Sequence, residues 1–97
     1  MNPVIIRPAA AAEIDEAYLW YESQRTGLGE EFLAEVNGML ERIGEMPELY
    51  AVLRRDTRRA MLGRFPYSLL YRLVGGEVIV VACFHGKRDP RRWHDRT

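Results

Sequence analysis

With one cysteine in 97 residues there can be no internal disulfide, so the fold must rest on its core alone. Cys83 sits among Val80, Val81, Ala82 and Phe84, where a thiol behaves as a small hydrophobe suited to a reducing compartment. Long apolar runs are also missing. Nothing approaches the roughly 20 apolar residues that span a bilayer. Val4 to Ile6 is a three-residue run, and Ala9 to Ala12 lead straight into Glu13, Asp15 and Glu16, unlike a signal peptide. The expected location is the cytoplasm, with no membrane contact. There is no CxxC or HxxxH spacing, no Gly-rich phosphate loop, no GxSxG elbow and no paired-carboxylate motif. Cys83 and His85 share a strand face, but only His94 and Asp95 are left to complete a metal site. Metal and cofactor are therefore expected to be none.

Net charge is lacking too, since 14 Lys and Arg balance 14 Asp and Glu. The balance hides a division. Residues 1 to 50 carry three arginines against ten acids, a balance of −7, and residues 51 to 97 carry eleven bases against four acids, a balance of +7. A basic half of this kind implies an anionic partner, either nucleic acid or an acidic protein segment.

What the sequence does have is periodicity. A 47% apolar chain of this length builds one modest core, so residues 1 to 97 are read as a single domain. Val4, Ile5 and Ile6 are β-branched and give a short first strand over residues 3 to 7, and Pro8 can then open a helix. Ile14, Ala17, Tyr18 and Tyr21 mark one face of that helix, which ends before Gly27. A second helix opens near Leu28 and Gly29 with Glu30 and Glu31 at its positive end, buries Phe32, Val36, Met39, Leu40 and Ile43, and closes at Pro47. So short a link implies an antiparallel helical hairpin. The period then changes, and Arg59 to Arg64, Tyr67 to Leu73 and Glu77 to Phe84 read as strands, the last two joined by a Gly75-Gly76 hairpin. The expected class is α+β: a short N-terminal strand and a helical hairpin packed on a mainly antiparallel sheet. Residues 86 to 97 form a basic tail.

Several of these residues also carry a family resemblance. Phe65-Pro66-Tyr67, Tyr71-Arg72 and the stretch from His85 through Lys87, Arg88, Asp89, Pro90, Arg91 and Arg92 to Trp93 resemble the C-terminal signature of RelE/ParE toxins. Trp20-Tyr21-Glu22 and Leu28-Gly29-Glu30-Glu31-Phe32 resemble the helical-hairpin signature of the same superfamily. The resemblance implies a RelE/ParE-like fold. It also implies the toxin of a type II toxin–antitoxin system, in a hetero-oligomer with a cognate antitoxin whose flexible segment wraps around it. RelE-like members cleave mRNA on the ribosome, whereas ParE-like members inhibit DNA gyrase without catalysis.

Metal-free RNA cleavage needs an acid and a base as well as cations for the phosphate. Arg59, Arg64 and Arg88 supply cations, and His85 is the one strand-end group that titrates near neutrality; its other reading is a turn residue held by the backbone. In RelE-like nucleases that use a C-terminal tyrosine, that residue corresponds to Trp93 here, and an indole N–H only donates. The resemblance thus leads to ParE-like gyrase inhibition, with ribosome-dependent cleavage, or a relic that only binds antitoxin, as alternatives. The expected contacts with target or antitoxin are Arg58, Arg59, Arg64, Arg72, Arg88, Arg91, Arg92 and Trp93 in the basic half, with Trp20 and Leu33 on the helices. Trp20, Leu19 and Leu33 lie at or beyond the margin of the helical stripes, where they either widen the core or receive a partner.

Overall fold

Proline, glycine and one glutamate shape the first half of the chain. In the computed structural model, which describes residues 1 to 86, helix α1 spans Pro8–Gln24 with its proline in the first turn. The missing N–H of that proline has no intrahelical partner to lose. Ala10, Ile14, Ala17 and Tyr21 are buried along one stripe. Gly27 adopts a left-handed φ of 91° and leads directly into α2, Leu28–Glu45, which buries Phe32, Val36, Met39 and Ile43. Glu22 fixes the turn between them: its two carboxylate oxygens accept the N–H groups of Gly27 and Gly29, each at 2.9 Å. Two otherwise orphaned amides are satisfied, and a negative charge sits at the positive end of α2. Gly29 permits the close approach, because a Cβ there would stand 2.8 Å from the Tyr18 carbonyl. The hairpin is the one anticipated from the periodicity.

The strands are β1 (Val4–Ile6), β2 (Val52–Arg54), β3 (Thr57–Met61), β4 (Tyr67–Val74) and β5 (Glu77–His85). They form one sheet in the order β1-β5-β4-β3-β2. Only the β1–β5 pair is parallel. Gly75 and Gly76, at φ 56° and 82°, turn β4 into β5 as the diglycine signal requires. Two strand assignments change. The third strand of the chain was expected at Arg59 to Arg64 and instead runs from Thr57 to Met61, because the chain bends at Gly63 to Phe65 before Pro66. Strand β2 was not anticipated at all. It is only three residues long, too short to show alternation, and its turn carries Arg55 at a positive φ of 55° where glycine or asparagine would have signalled it.

Both helices contribute to the core on one face of the sheet, where Tyr21, Phe32, Phe65 and Tyr67 pack with ring centroids between 4.8 and 6.1 Å apart. A bulge in β5 gives the sheet a second apolar face. Leu70 pairs with Ala82 and Tyr71 with Val80, leaving Val81 as the extra residue. Val80 and Cys83 therefore join the core beneath the helices, while Val81 and Ala82 cluster with Leu70 on the other side. Two side chains fasten the loop between α2 and β2. Tyr71, fully buried, donates its hydroxyl to the Pro47 carbonyl at 2.5 Å, and Arg58 donates to the carbonyls of Tyr50 at 2.6 Å and Glu48 at 3.3 Å. Among the described residues, no helix is long and apolar enough to cross a membrane.

Candidate functional site

The candidate arginines among the described residues are held in different ways. Arg58 is turned inward onto the loop carbonyls and is a strut as much as a surface charge. Arg64 is exposed but bound to Glu31 of α2 at 2.7 Å, with its guanidinium 5.2 Å from the centre of the Phe65 ring, and its N–H donates to Glu35. Arg72 grips Asp56 through three contacts of 3.0 to 3.2 Å. These pairings hold the carboxyls of Glu31 (by Arg64, then Arg25) and Asp56 (by Arg72) below their usual range. Arg59 is exposed and reaches the Met61 sulfur at 3.1 Å. As the register partner of Leu70 it lies on the face turned away from the helices. Exposed Arg55, at the tip of the β2–β3 turn, adds a further cation at that edge of the sheet which the sequence reading passed over. Arg88, Arg91, Arg92 and Trp93 lie outside the described residues, as does the tail beyond Gly86.

His85 ends β5 opposite Tyr67, with the two rings edge to face at 5.0 Å. Cys83 belongs to the core beneath the helices and Phe84 to the opposite cluster, so alternation returns His85 to the helix side. Arg59 lies on the other face. Of the set expected for RNA cleavage, His85 and Arg59 therefore do not converge, Arg64 is engaged by Glu31, and Arg88 is not among the described residues.

What does converge is a cleft of about 600 Å³ between α1 and the ends of β4 and β5. Glu13, Glu16 and Trp20 of α1 line one side, Tyr67 and His85 the other, and Tyr21 the floor. Glu13 is held in place by accepting the Cys83 N–H at 3.1 Å. The Cys83 thiol is pushed up to about 12, first by burial and then by Glu13, and is thus no ready nucleophile. Trp20 packs edge to face on Tyr21 at 5.1 Å yet remains 58% exposed, and its neighbour Leu19 is also exposed. Leu33 is half-buried against the core. The sequence reading noted Trp20 and His85 separately but missed the carboxylates. The signal was present, since Glu13, Glu16 and Trp20 stand at i, i+3 and i+7, along one side of a helix.

A helical hairpin laid on one face of a five-stranded, mainly antiparallel sheet is the RelE/ParE-like arrangement. More narrowly, the chain belongs to the family described as the ParE toxin of type II toxin-antitoxin systems, parDE, whose sequence model matches residues 4–90. Among solved structures it is similar to a chain of the chromosomal ParDE TA system from P. aeruginosa, with a TM-score of 0.66 over 88% of this chain and 96% of that one. At 21% identity the likeness is one of fold. No curated protein sequence matches.

Proposed function

We propose that this chain is the toxin of a type II toxin–antitoxin pair, neutralised in a complex with its cognate antitoxin, and that it acts by inhibiting DNA gyrase rather than by cutting RNA. The toxin role and the antitoxin partner rest on membership of the ParE family over residues 4–90. The preference for a non-catalytic mechanism rests on one observation: among the described residues, His85 and the exposed Arg59 lie on opposite faces of the sheet. His85 lines a cleft with Glu13 and Glu16, and the described lining contains no arginine or lysine to steady a phosphodiester. Arg64 and Arg72 are neutralised by Glu31 and Asp56.

Arg59, Arg55 and the exposed Trp20 remain as surface through which a protein target or the antitoxin is engaged. Arg58 adds its charge to the same basic half, Arg64 and Arg72 stay paired with Glu31 and Asp56, and Leu33 packs against the core.

Induction of the chain without antitoxin tests this reading. DNA breakage and an SOS response with early translation intact are expected. Rapid ribosome-linked mRNA cleavage would replace gyrase inhibition by the RelE-like mechanism. Absence of any growth arrest would leave an antitoxin-binding relic.

A further inference from the structure

We infer that the outer edge of β1 is a docking surface for a second copy of this chain, the two sheets joining β1 against β1 about a two-fold axis at Ile5. The inference stands on the edge itself and does not rest on the toxin reading.

The hydrogen-bond pattern of β1 fits its own copy. The N–H of Arg7 donates to Val80 and the carbonyl of Pro3 accepts from Val78, so Ile5 between them faces β5 while Val4 and Ile6 turn N–H and C=O away from it. No described residue answers those outward groups. In an antiparallel pairing centred on Ile5, Val4 of each copy meets Ile6 of the other, and the outward groups of one strand satisfy those of its copy. The opposed side chains are Ile5 with Ile5 and Val4 with Ile6, all apolar, and Ile5 and Ile6 are 43% and 37% exposed. Strand β5 runs on past Val80, the partner of Ile6, to end at His85, so the last described residues lie away from this edge.

Charge and shape select this edge over the other. Arg7 carries the one charged side chain in residues 1 to 12, and the pairing sets it opposite Pro3 and not opposite its own copy. Like copies therefore approach without facing like charges. The other edge, β2, shifts register between Val52 and Arg54 and runs into Arg55, an irregularity and a charge of the kind that protect an edge from pairing. Strand β1 has neither. Val4 packs on the helix side, and alternation puts Ile6 there too. Ile6 of the second copy thus arrives beside an apolar hollow of about 380 Å³ lined by Met1, Asn2, Pro3, Val4, Leu40 and Glu41. Arg7 of the second copy comes to the Pro3 side of the same hollow, where its charge complements Glu41. Three paired residues a side fall short of the roughly 1,600 Å² of a stable complex, so the dimer is weak and forms at high concentration. It leaves Arg55 and Arg59 toward the far edge of each five-stranded sheet.

Sedimentation equilibrium of the full chain up to about 1 mM tests the inference, with reversible dimerisation expected at a Kd of about 0.1 to 1 mM. Ile5→Lys, which sets like charges against each other on the axis, should weaken dimerisation about tenfold or more with the circular dichroism unchanged. Leu53→Lys, on β2, should leave it unaltered. Cysteine trapping keeps the test decisive if Ile5→Lys fails to fold. Ile5→Cys places two thiols across a non-hydrogen-bonded pair with Cα atoms about 4.5 Å apart, within disulfide range. Oxidised glutathione should link that variant into a dimer about tenfold faster than Leu53→Cys, and the native Cys83 is buried and does not compete. A monomer throughout the concentration range, dimerisation indifferent to Ile5→Lys in folded protein, or equal trapping through Leu53→Cys would each overturn the inference. A chain that is monomeric alone, and whose Val4 and Ile6 amides become protected from hydrogen exchange only when antitoxin is added, would give the edge to that partner and overturn its assignment to a second copy. The absence of growth arrest on induction bears on the toxin reading and leaves these measurements untouched.

Discussion

Replacing Tyr71 with phenylalanine isolates the one hydroxyl that ties the sheet to the loop after α2. The ring is fully buried and its packing is conserved in the variant, so the change removes only the 2.5 Å bond to the carbonyl of Pro47, itself a buried residue. A buried hydrogen bond is worth about 1 kcal/mol net, and leaving its acceptor unsatisfied costs about 1 kcal/mol more, giving roughly 2 kcal/mol. For a domain of this size that lowers Tm by about 8 to 16 °C. Urea unfolding followed by circular dichroism should show the midpoint fall with an unchanged slope. Arg58, the register partner of Tyr71, fastens the same loop through Glu48 and Tyr50. Once either tether is cut the loop can relax, so Tyr71→Phe and Arg58→Met together should cost less than the sum of the two, by about 0.5 kcal/mol or more. A Tyr71→Phe cost below about 0.5 kcal/mol, or strict additivity, would refute the two-tether account.

Gly29→Ala should destabilise the domain by about 2 kcal/mol, read as a lowered urea midpoint, because the added methyl meets the Tyr18 backbone at 2.8 Å and α1 must move off α2. Alkaline stability follows from Tyr71 and Cys83, whose pKa values are raised by burial from 10.0 and 9.0 to about 12 in each case. A raised pKa means that the neutral form is favoured in the fold. The stabilisation is therefore complete below the unfolded values and is lost as pH climbs from about 9 to about 12, and Tyr71→Phe should remove the phenol's share of that loss. A flat unfolding midpoint across this range would contradict it. Arg59→Glu should weaken the antitoxin complex with little change in Tm, since Arg59 is exposed and holds no loop, whereas Arg58→Glu should lower both. Equal antitoxin affinity for Arg59→Glu and the unaltered chain would remove electrostatics from the interface.

The helical hairpin was readable because its period, its glycine and its acids all mark the same turn. Glu22 and Gly29 physically make it, in roles that the pattern did not reveal: one caps the helix and the other lets the backbones meet. Strand β2 was unreadable because three residues carry no period and Arg55 occupies a glycine-like conformation. The bulge at Val81 was hidden for a different reason. A strand apolar on both faces reads as a continuous run, and such a run contains no mark of where its register slips. The cleft was half-legible. Trp20 and His85 were visible as isolated residues, but Glu13 and Glu16 looked like the solvated side of a helix, and only the packing of α1 on β5 brings them opposite Tyr67 and His85.

The division of charge along the sequence survives folding in altered form. Part of it is consumed inside the molecule: Arg64 goes to Glu31, its N–H to Glu35, and the Cys83 N–H to Glu13. Among the described residues, part of what remains is sorted across the sheet. Glu16 and Asp15 stay exposed on α1, which packs on β5, whereas Arg55 and Arg59 stay exposed around β3 and its turn to β2, toward the opposite edge. A partner segment that merely answered the basic half would be uniformly acidic and would be repelled at the α1 end. One that engages both ends gains from acids toward β3 and a base toward Asp15 and Glu16, so exchanging those signs along a bound antitoxin segment should weaken binding while leaving its net charge and apolar content unchanged. Binding that survives the exchange would mean that apolar contact alone holds the complex.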